Sequence, residues 1–71
     1  NNTREGDIVR DTLIRARGNK SQIEVAKTLG ISQKYLSKLE LEKRNPSMVL
    51  ASKIAKYYGQ SVEKLFPDIF L

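Results

Sequence analysis

Apolar residues recur along this chain at steps of three and four positions, the spacing that places them on one face of an α-helix. Glycine and proline residues interrupt the pattern and divide the chain into short segments. No segment alternates apolar and polar residues over the length of a strand. The pattern therefore predicts an all-α protein with five short helices.

Serine residues precede the second to fifth predicted helices, where a side-chain oxygen can accept a hydrogen bond from a free N–H of the first turn. Ser21 and Glu24 have the spacing of a capping box. The predicted helices run from about Asp7 to Arg17, from Ser21 to Gly30, from Ser32 to about Leu41, from Ser47 to Gly59 and from Ser61 to Pro67. The residues expected to face the core are Ile8, Val9, Leu13, Ile14, Val25, Ala26, Leu29, Ile31, Leu36, Leu39, Met48, Ala51, Ile54, Ala55, Tyr58, Val62, Leu65 and Phe66.

Composition narrows the classes of function. The chain contains no Cys and no His, which removes disulfides, thiolate metal sites and the commonest general base and zinc ligand. Thirteen Lys and Arg against eight Asp and Glu leave a net charge of +5, and such an excess favours an anionic partner, with nucleic acid first and an acidic membrane surface second. No apolar run approaches the roughly 18 residues of a membrane span. We expect a cytoplasmic protein that is not an enzyme and that needs no metal or cofactor.

The second and third predicted helices are joined by only about three residues, with Gly30 at the corner. The small side chain of Ala26 lets two crossing helices approach closely, and Gly30 can adopt a positive φ at the bend. Ile31 and Leu36 are placed to pack where the two helices cross and to fix the angle between them. This geometry is typical of a helix-turn-helix, whose second helix can lie in the major groove of DNA.

These positions resemble the Cro/phage-repressor type of helix-turn-helix, often called the Xre family. The resemblance rests on Gln22, Ala26, Gly30, Ile31, Leu36, Ser37, Leu39, Glu40 and the run Lys43–Ser47, and it extends over residues 18–66. It departs from the family at Glu42, where Gly is common, and at Lys20, where an apolar residue is common.

The resemblance implies one compact, five-helix, lambda-repressor-like domain over residues 1–71, with its core at about 7–66 and an apolar C-terminal segment at 67–71. It further implies a prokaryotic or phage-type protein that binds double-stranded DNA, usually as a repressor and a homodimer.

The outer face of the third predicted helix carries a polar stripe opposite Leu36 and Leu39. Glutamine can contact adenine through two hydrogen bonds, and lysine can donate to guanine. By resemblance, the base-reading residues are Gln33, Lys34, Ser37 and Lys38. The alternative for this stripe is an ordinary solvated helix face.

Phosphate contacts form a separate class, because they fix the position of a protein on DNA without reading its sequence. By resemblance, Gln22 at the start of the second helix contacts the backbone. Tyr35 is a candidate through its hydroxyl, and its alternative is a half-buried surface aromatic. Lys43, Arg44 and Asn45 are the candidates in the loop after the third helix, and a solvated loop is their alternative.

Arg15 and Glu40 resemble a partly buried ion pair that ties the first helix to the end of the third. Arg17 is the alternative partner of Glu40. Such a pair would orient the recognition helix rather than contact DNA.

The segment Phe66–Leu71 is too apolar for a solvated tail. It can pack on the core, form a contact between two copies or a partner protein, or lead into a further domain. A protein-interaction module, such as an antitoxin that neutralises a toxin, is therefore the main alternative function. RNA binding ranks lower, because single-strand recognition uses aromatic platforms and this chain has three Tyr and two Phe, most of them expected in the core.

Overall fold

The computed structural model of the protein describes residues 9–70, and this range contains six α-helices and no strand. The helices are α1 (Asp11–Arg17), α2 (Gln22–Leu29), α3 (Gln33–Glu40), α4 (Met48–Tyr58), α5 (Val62–Leu65) and α6 (Pro67–Phe70). The predicted all-α class is confirmed. None of these helices is long and apolar enough to cross a membrane.

Each of the four predicted serine caps forms, but at Ser21 the described residues show only the serine half of the capping box. The side-chain oxygen of the serine before the helix accepts a hydrogen bond from the backbone N–H three residues later, at 3.0 Å in α2 and α3, 3.1 Å in α4 and 3.2 Å in α5. The capping residues are Ser21, Ser32, Ser47 and Ser61. These bonds satisfy donors that a short helix would otherwise leave free.

The first helix is shorter than predicted. It begins at Asp11, while Val9 and Arg10 are not helical, and Asp7 and Ile8 lie outside the described residues. The backbone N–H of Arg10 donates to the carbonyl oxygen of Glu40 at 2.9 Å. This contact with the end of α3 holds Arg10 at φ −88° and ψ 84°, outside the helical region.

A sixth helix follows the five that the sequence predicted. Pro67 ends α5 as expected but also begins α6, because the missing N–H and fixed φ of proline suit the first position of a helix. Ile69 and Phe70 are half-buried and pack against the core, and the rings of Phe66 and Phe70 meet edge to face at 6.3 Å. Of the expected roles for this segment, core packing is the one that Ile69 and Phe70 show.

The core holds most of the expected residues. The buried apolar side chains are Leu13, Val25, Ala26, Leu29, Leu36, Leu39, Ala51, Ile54, Ala55, Leu65 and Phe66. The prediction that Met48 faces the core is wrong, because this residue is 64% exposed. It occupies the first position of α4, directly after the Ser47 cap, where the helix has not yet reached the core.

Three helices end with the same backbone turn. In α2, α3 and α4, an N–H just past the helix donates to a carbonyl five residues earlier: Ile31 to Ala26 at 3.0 Å, Lys43 to Lys38 at 2.9 Å and Gln60 to Ala55 at 3.0 Å. The turn requires a left-handed residue. Gly30 and Gly59 supply it in α2 and α4, but in α3 the left-handed residue is Glu42, with φ 62°.

Tyr58 is the one residue among 9–70 whose buried side-chain polar atom lacks a hydrogen-bond partner. Burial disfavours the charged phenolate, and the nearby negative charge of Glu40 adds to this effect, so the pKa of Tyr58 is raised to about 12. The positive charge of Arg17 opposes the shift in part.

We predict that Glu42→Gly stabilises the protein by about 1 kcal/mol, because glycine removes the steric cost of a left-handed conformation. Urea denaturation measures the change. Lys43→Gly is the matched control, since Lys43 does not have a positive φ and glycine there only adds freedom to the unfolded chain. A Glu42→Gly variant no more stable than wild type would contradict this account of the turn.

We predict that Tyr58→Phe leaves stability unchanged or raises it at neutral pH, because it removes a hydroxyl that lacks a partner. The unfolded chain ionises Tyr58 near pH 10 and the folded chain near pH 12, so wild type should lose stability relative to the variant as the pH rises between these values. Urea denaturation from pH 8 to 11 tests both points. Tyr57→Phe is the control, because the Tyr57 hydroxyl accepts a hydrogen bond from Lys20 at 3.2 Å. Parallel stability curves for wild type and Tyr58→Phe would refute the second point.

Candidate nucleic-acid interface

The corner between α2 and α3 has the geometry that the sequence predicted. Gly30 is left-handed, with φ 76° and ψ 28°, and buried Ala26 lies against the core beside it. The Nζ of Lys53 on α4 donates to the carbonyl of Leu29 at 3.0 Å, where a cation is favoured at the negative end of a helix. These contacts fix the direction in which α3 leaves the turn.

The polar face of α3 points away from the core. Leu36 and Leu39 are fully buried on the inner side. Of the four predicted base-reading residues, Gln33 and Lys34 are exposed and Ser37 and Lys38 are half-buried. The structure thus brings all four to the outer side of one eight-residue helix. A helix with this division can lay its polar side in a groove while its apolar side stays in the core.

A chain of hydrogen bonds leads from this face to a buried carboxylate. Gln33 Nε2 donates to Gln22 Oε1 at 3.3 Å, and Gln22 Nε2 donates to Glu40 Oε1 at 2.8 Å. The amide of Gln22 therefore links the start of α3 to its end. The phosphate contact of Gln22 stays a prediction.

The partner of Glu40 is Arg17, the alternative, and not Arg15. Arg17 donates from Nε to Oε2 at 2.8 Å and from Nη2 to Oε1 at 3.2 Å, and these bonds raise the pKa of Arg17. Arg15 is exposed. Residues that are two positions apart in a helix lie about 200° apart around its axis, so only one of Arg15 and Arg17 can face Glu40.

The loop after α3 folds back on the helix that precedes it. The N–H groups of Lys43 and Arg44 both donate to the carbonyl of Lys38, at 2.9 and 3.3 Å. Pro46 is buried, and the side chains of Lys43, Arg44 and Asn45 are exposed. The loop therefore presents its three candidate phosphate ligands next to the end of α3.

Tyr35 lies between its two expected roles. It is half-buried and packs against the core, as the structural alternative requires. Its contact with phosphate stays a prediction.

Arg10 is a buried residue that sequence reasoning missed. Only 1% of its side chain is exposed, and its guanidinium lies 5.2 Å from the centre of the Phe66 ring. It makes five hydrogen bonds, to Leu39 O (2.6 Å), Arg44 O (2.9 Å), Asn45 Oδ1 (2.9 Å), Asp68 Oδ1 (3.0 Å) and Asp68 Oδ2 (2.7 Å). All five donors of the guanidinium are thus used. A lone arginine at the start of an amphipathic helix carries no signal of such burial, because its partners come from distant segments.

Among residues 9–70, no group of three or more His, Cys, Asp or Glu side chains lies close enough together to hold a metal ion. Two of the acidic side chains in this region already have cationic partners, since Glu40 pairs with Arg17 and Asp68 with Arg10. The exposed cations of α3 and its loop are Lys34, Lys43 and Arg44.

Three archaeal proteins are similar to this chain. An uncharacterised HTH-type transcriptional regulator of Methanocaldococcus jannaschii is 42% identical over 52 residues, which cover 73% of this chain and 79% of the relative. Two uncharacterised HTH-type transcriptional regulators of Archaeoglobus fulgidus are each 40% identical over 52 residues, which cover 73% and 74% of those proteins. No solved structure matches the chain significantly.

The family model of a helix-turn-helix domain matches residues 13–65. The matched range begins in α1 and ends in α5, so it contains the α2–α3 corner, the polar face of α3 and the loop that follows. The chain belongs to the Cro/C1-type helix-turn-helix family.

Proposed function

We propose that this protein is a transcriptional regulator that binds double-stranded DNA sequence-specifically and reads the major groove with α3. The observation that carries the proposal is the α2–α3 corner, which leaves Gln33, Lys34, Ser37 and Lys38 on the outer side of a helix anchored by its apolar side. The family supports a DNA-binding protein that is not an enzyme, and the names of the three relatives support a role in regulation.

In this proposal, base contacts and phosphate contacts come from different elements. Gln33 and Lys38 are the strongest candidates for base contacts, because glutamine suits adenine and lysine suits guanine. Lys43, Arg44 and Asn45 hold the phosphate backbone on one side of α3, and Gln22 holds it at the start of α2. The exposure of the three loop side chains supports this division.

The protein acts as a homodimer on a near-palindromic operator. A single eight-residue helix reads only a few base pairs, whereas a two-fold dimer places two such helices about 34 Å apart, one turn of DNA. Occupancy of such an operator blocks transcription without any further contact, so repression is the simplest regulatory outcome. The protein works in the cytoplasm of a prokaryotic cell, where the DNA is accessible.

The antitoxin-like alternative depended on an apolar C-terminal segment available to a partner. Ile69 and Phe70 are instead half-buried against the core, which leaves less apolar surface for such a contact. DNA binding is therefore the function that the described residues favour.

Selection from a randomised duplex pool tests the proposal. We expect an inverted repeat with half-sites about one turn apart, bound at least about a thousandfold more tightly than a scrambled duplex. Titration at several salt concentrations should give a steep dependence, because each phosphate contact contributes a slope of about −0.9. Lys43 and Arg44 would contact phosphates, and Lys34 and Lys38 would enter the groove between the phosphate backbones. About four cations per protomer would then displace counterions, which gives a slope near −7 for a dimer. Equal, weak binding to every duplex would refute specific recognition.

We predict that Gln33→Ala and Lys38→Ala each weaken binding to the selected duplex by about 1–3 kcal/mol and relax the preference at one base position. Binding to the scrambled duplex should change little for Gln33→Ala. Lys56→Ala is the charge-matched control for Lys38→Ala, because Lys56 is exposed in the last turn of α4, away from the loop. Equal effects of Lys38→Ala and Lys56→Ala would show that only net charge matters at position 38.

A further inference from the structure

The buried guanidinium of Arg10 joins three segments that lie far apart in the sequence. It binds the carbonyl of Leu39 at the end of α3, two acceptors in the following loop and the carboxylate of Asp68 in α6. From this arrangement we infer that Arg10 and Asp68 are positioning residues for DNA binding, which hold the loop 43–45 in the conformation that contacts phosphate. This inference rests on the proposed function, since the loop contacts phosphate only if the protein binds DNA.

Arg10 makes two hydrogen bonds to the loop, one to its backbone and one to a side-chain amide. Nη1 of Arg10 donates to the carbonyl of Arg44 at 2.9 Å, and Nη2 donates to Oδ1 of Asn45 at 2.9 Å. On the other side of the loop, the carbonyl of Lys38 accepts the N–H groups of Lys43 and Arg44. The backbone of Arg44 is thus held at both its N–H and its carbonyl.

This arrangement also orients the amide of Asn45. Its oxygen faces Arg10, which leaves the Nδ2 group as a donor, and no hydrogen bond among residues 9–70 uses that group. Because the orientation of this amide is already fixed, its N–H can donate to an anion without a further loss of conformational freedom. The side chains of Lys43 and Arg44 start from a fixed backbone, so the loop gives up less conformational freedom when it binds phosphate.

Asp68 is the part of the arrangement that keeps Arg10 in place. A buried cation is costly unless a charged partner and hydrogen bonds compensate it. Asp68 accepts from both Nε and Nη2 of Arg10, in the two-pronged geometry that guanidinium groups favour. The bond from Arg10 also holds the pKa of the Asp68 carboxyl below its usual value, which agrees with a carboxylate that is charged at neutral pH.

For the substitution Asp68→Asn, the positioning role and the change in net charge predict opposite effects on DNA binding. Asp68→Asn removes a negative charge, and a more positive protein binds any DNA more tightly through general electrostatics. If Asp68 positions the loop, the same substitution weakens binding, because Arg10 loses its charged partner and releases Arg44 and Asn45. If Asp68 had only a structural role, Asp68→Asn would lower the stability of the protein without changing the number of phosphates that the folded protein binds.

The test compares Asp68→Asn with Glu63→Gln, using the duplex selected by wild type. Glu63 is an exposed acid in the first turn of α5, so its substitution makes the same change in charge without touching Arg10. We expect Glu63→Gln to bind as tightly as wild type or more tightly. We expect Asp68→Asn to bind about tenfold more weakly at moderate salt, with a salt slope shallower by about 0.9 for each phosphate that the loop no longer neutralises.

Two further readouts locate the effect. Ethylation interference should disappear in Asp68→Asn at the phosphates that flank the loop and persist at those near the start of α2, while the base preference from selection stays the same. Asp68→Glu, which restores a carboxylate, should recover most of the affinity and slope. All measurements use temperatures at which NMR spectra show the variants folded. If Asp68→Asn is too unstable, each variant is made with Glu42→Gly as a common stabilising background.

The outcomes separate this inference from the proposed function. If wild type selects no specific duplex, the proposed function fails. If wild type binds its duplex specifically but folded Asp68→Asn matches Glu63→Gln in affinity, slope and phosphate interference, the positioning role is overturned while the proposed function stands. The same conclusion holds if Asp68→Asn alters the base preference rather than the phosphates beside the loop.

Discussion

The compensation of two guanidinium groups at the end of α3, one buried and one partly exposed, is the constraint on which the rest of this structure depends. Arg10 and Arg17 both approach that end, one through the carbonyl of Leu39 and the other through the carboxylate of Glu40. The end of a helix offers free carbonyl oxygens and a partial negative charge, so it attracts cations. The burial of Arg10 is tolerated only because carboxylate and carbonyl oxygens accept hydrogen bonds from all of its N–H groups. The C-terminal end of α3 is thus held by both arginines, while Gln33 and Lys34 in its first turn stay exposed.

Short helices make this protein dependent on its helix ends. The described helices have between 4 and 11 residues, and isolated helices of such lengths are barely stable in water. Four serine caps at the starts and left-handed turns at three of the ends satisfy backbone groups that the small core cannot protect. In two of those turns the left-handed residue is glycine, and in the third it is Glu42. Its strain lies between α3 and the loop 43–45, so local stability and the proposed DNA surface meet at this residue.

The proposed interface separates three tasks among neighbouring residues. The outer side of α3 carries the candidate base contacts, and the loop 43–45 carries candidate phosphate contacts. A network under both of them, formed by Gln22, Glu40 and Arg17 on one side and by Arg10 and Asp68 on the other, holds their relative positions. Specific recognition requires such fixed positions, because a hydrogen bond to a base edge depends on distances within a few tenths of an ångström.

The sequence by itself determined the helical class, the four caps, the corner at Gly30 and most of the core. These features depend on neighbours within about four residues, through helical periodicity and the bonding of free N–H groups. Only the tertiary structure decided that Arg17 rather than Arg15 pairs with Glu40, that α1 begins at Asp11 and that Pro67 begins a sixth helix. It alone revealed that Arg10 is buried and hydrogen-bonded to a carboxylate 58 residues away. Contacts across such distances follow from how the helices pack, and no local spacing encodes them.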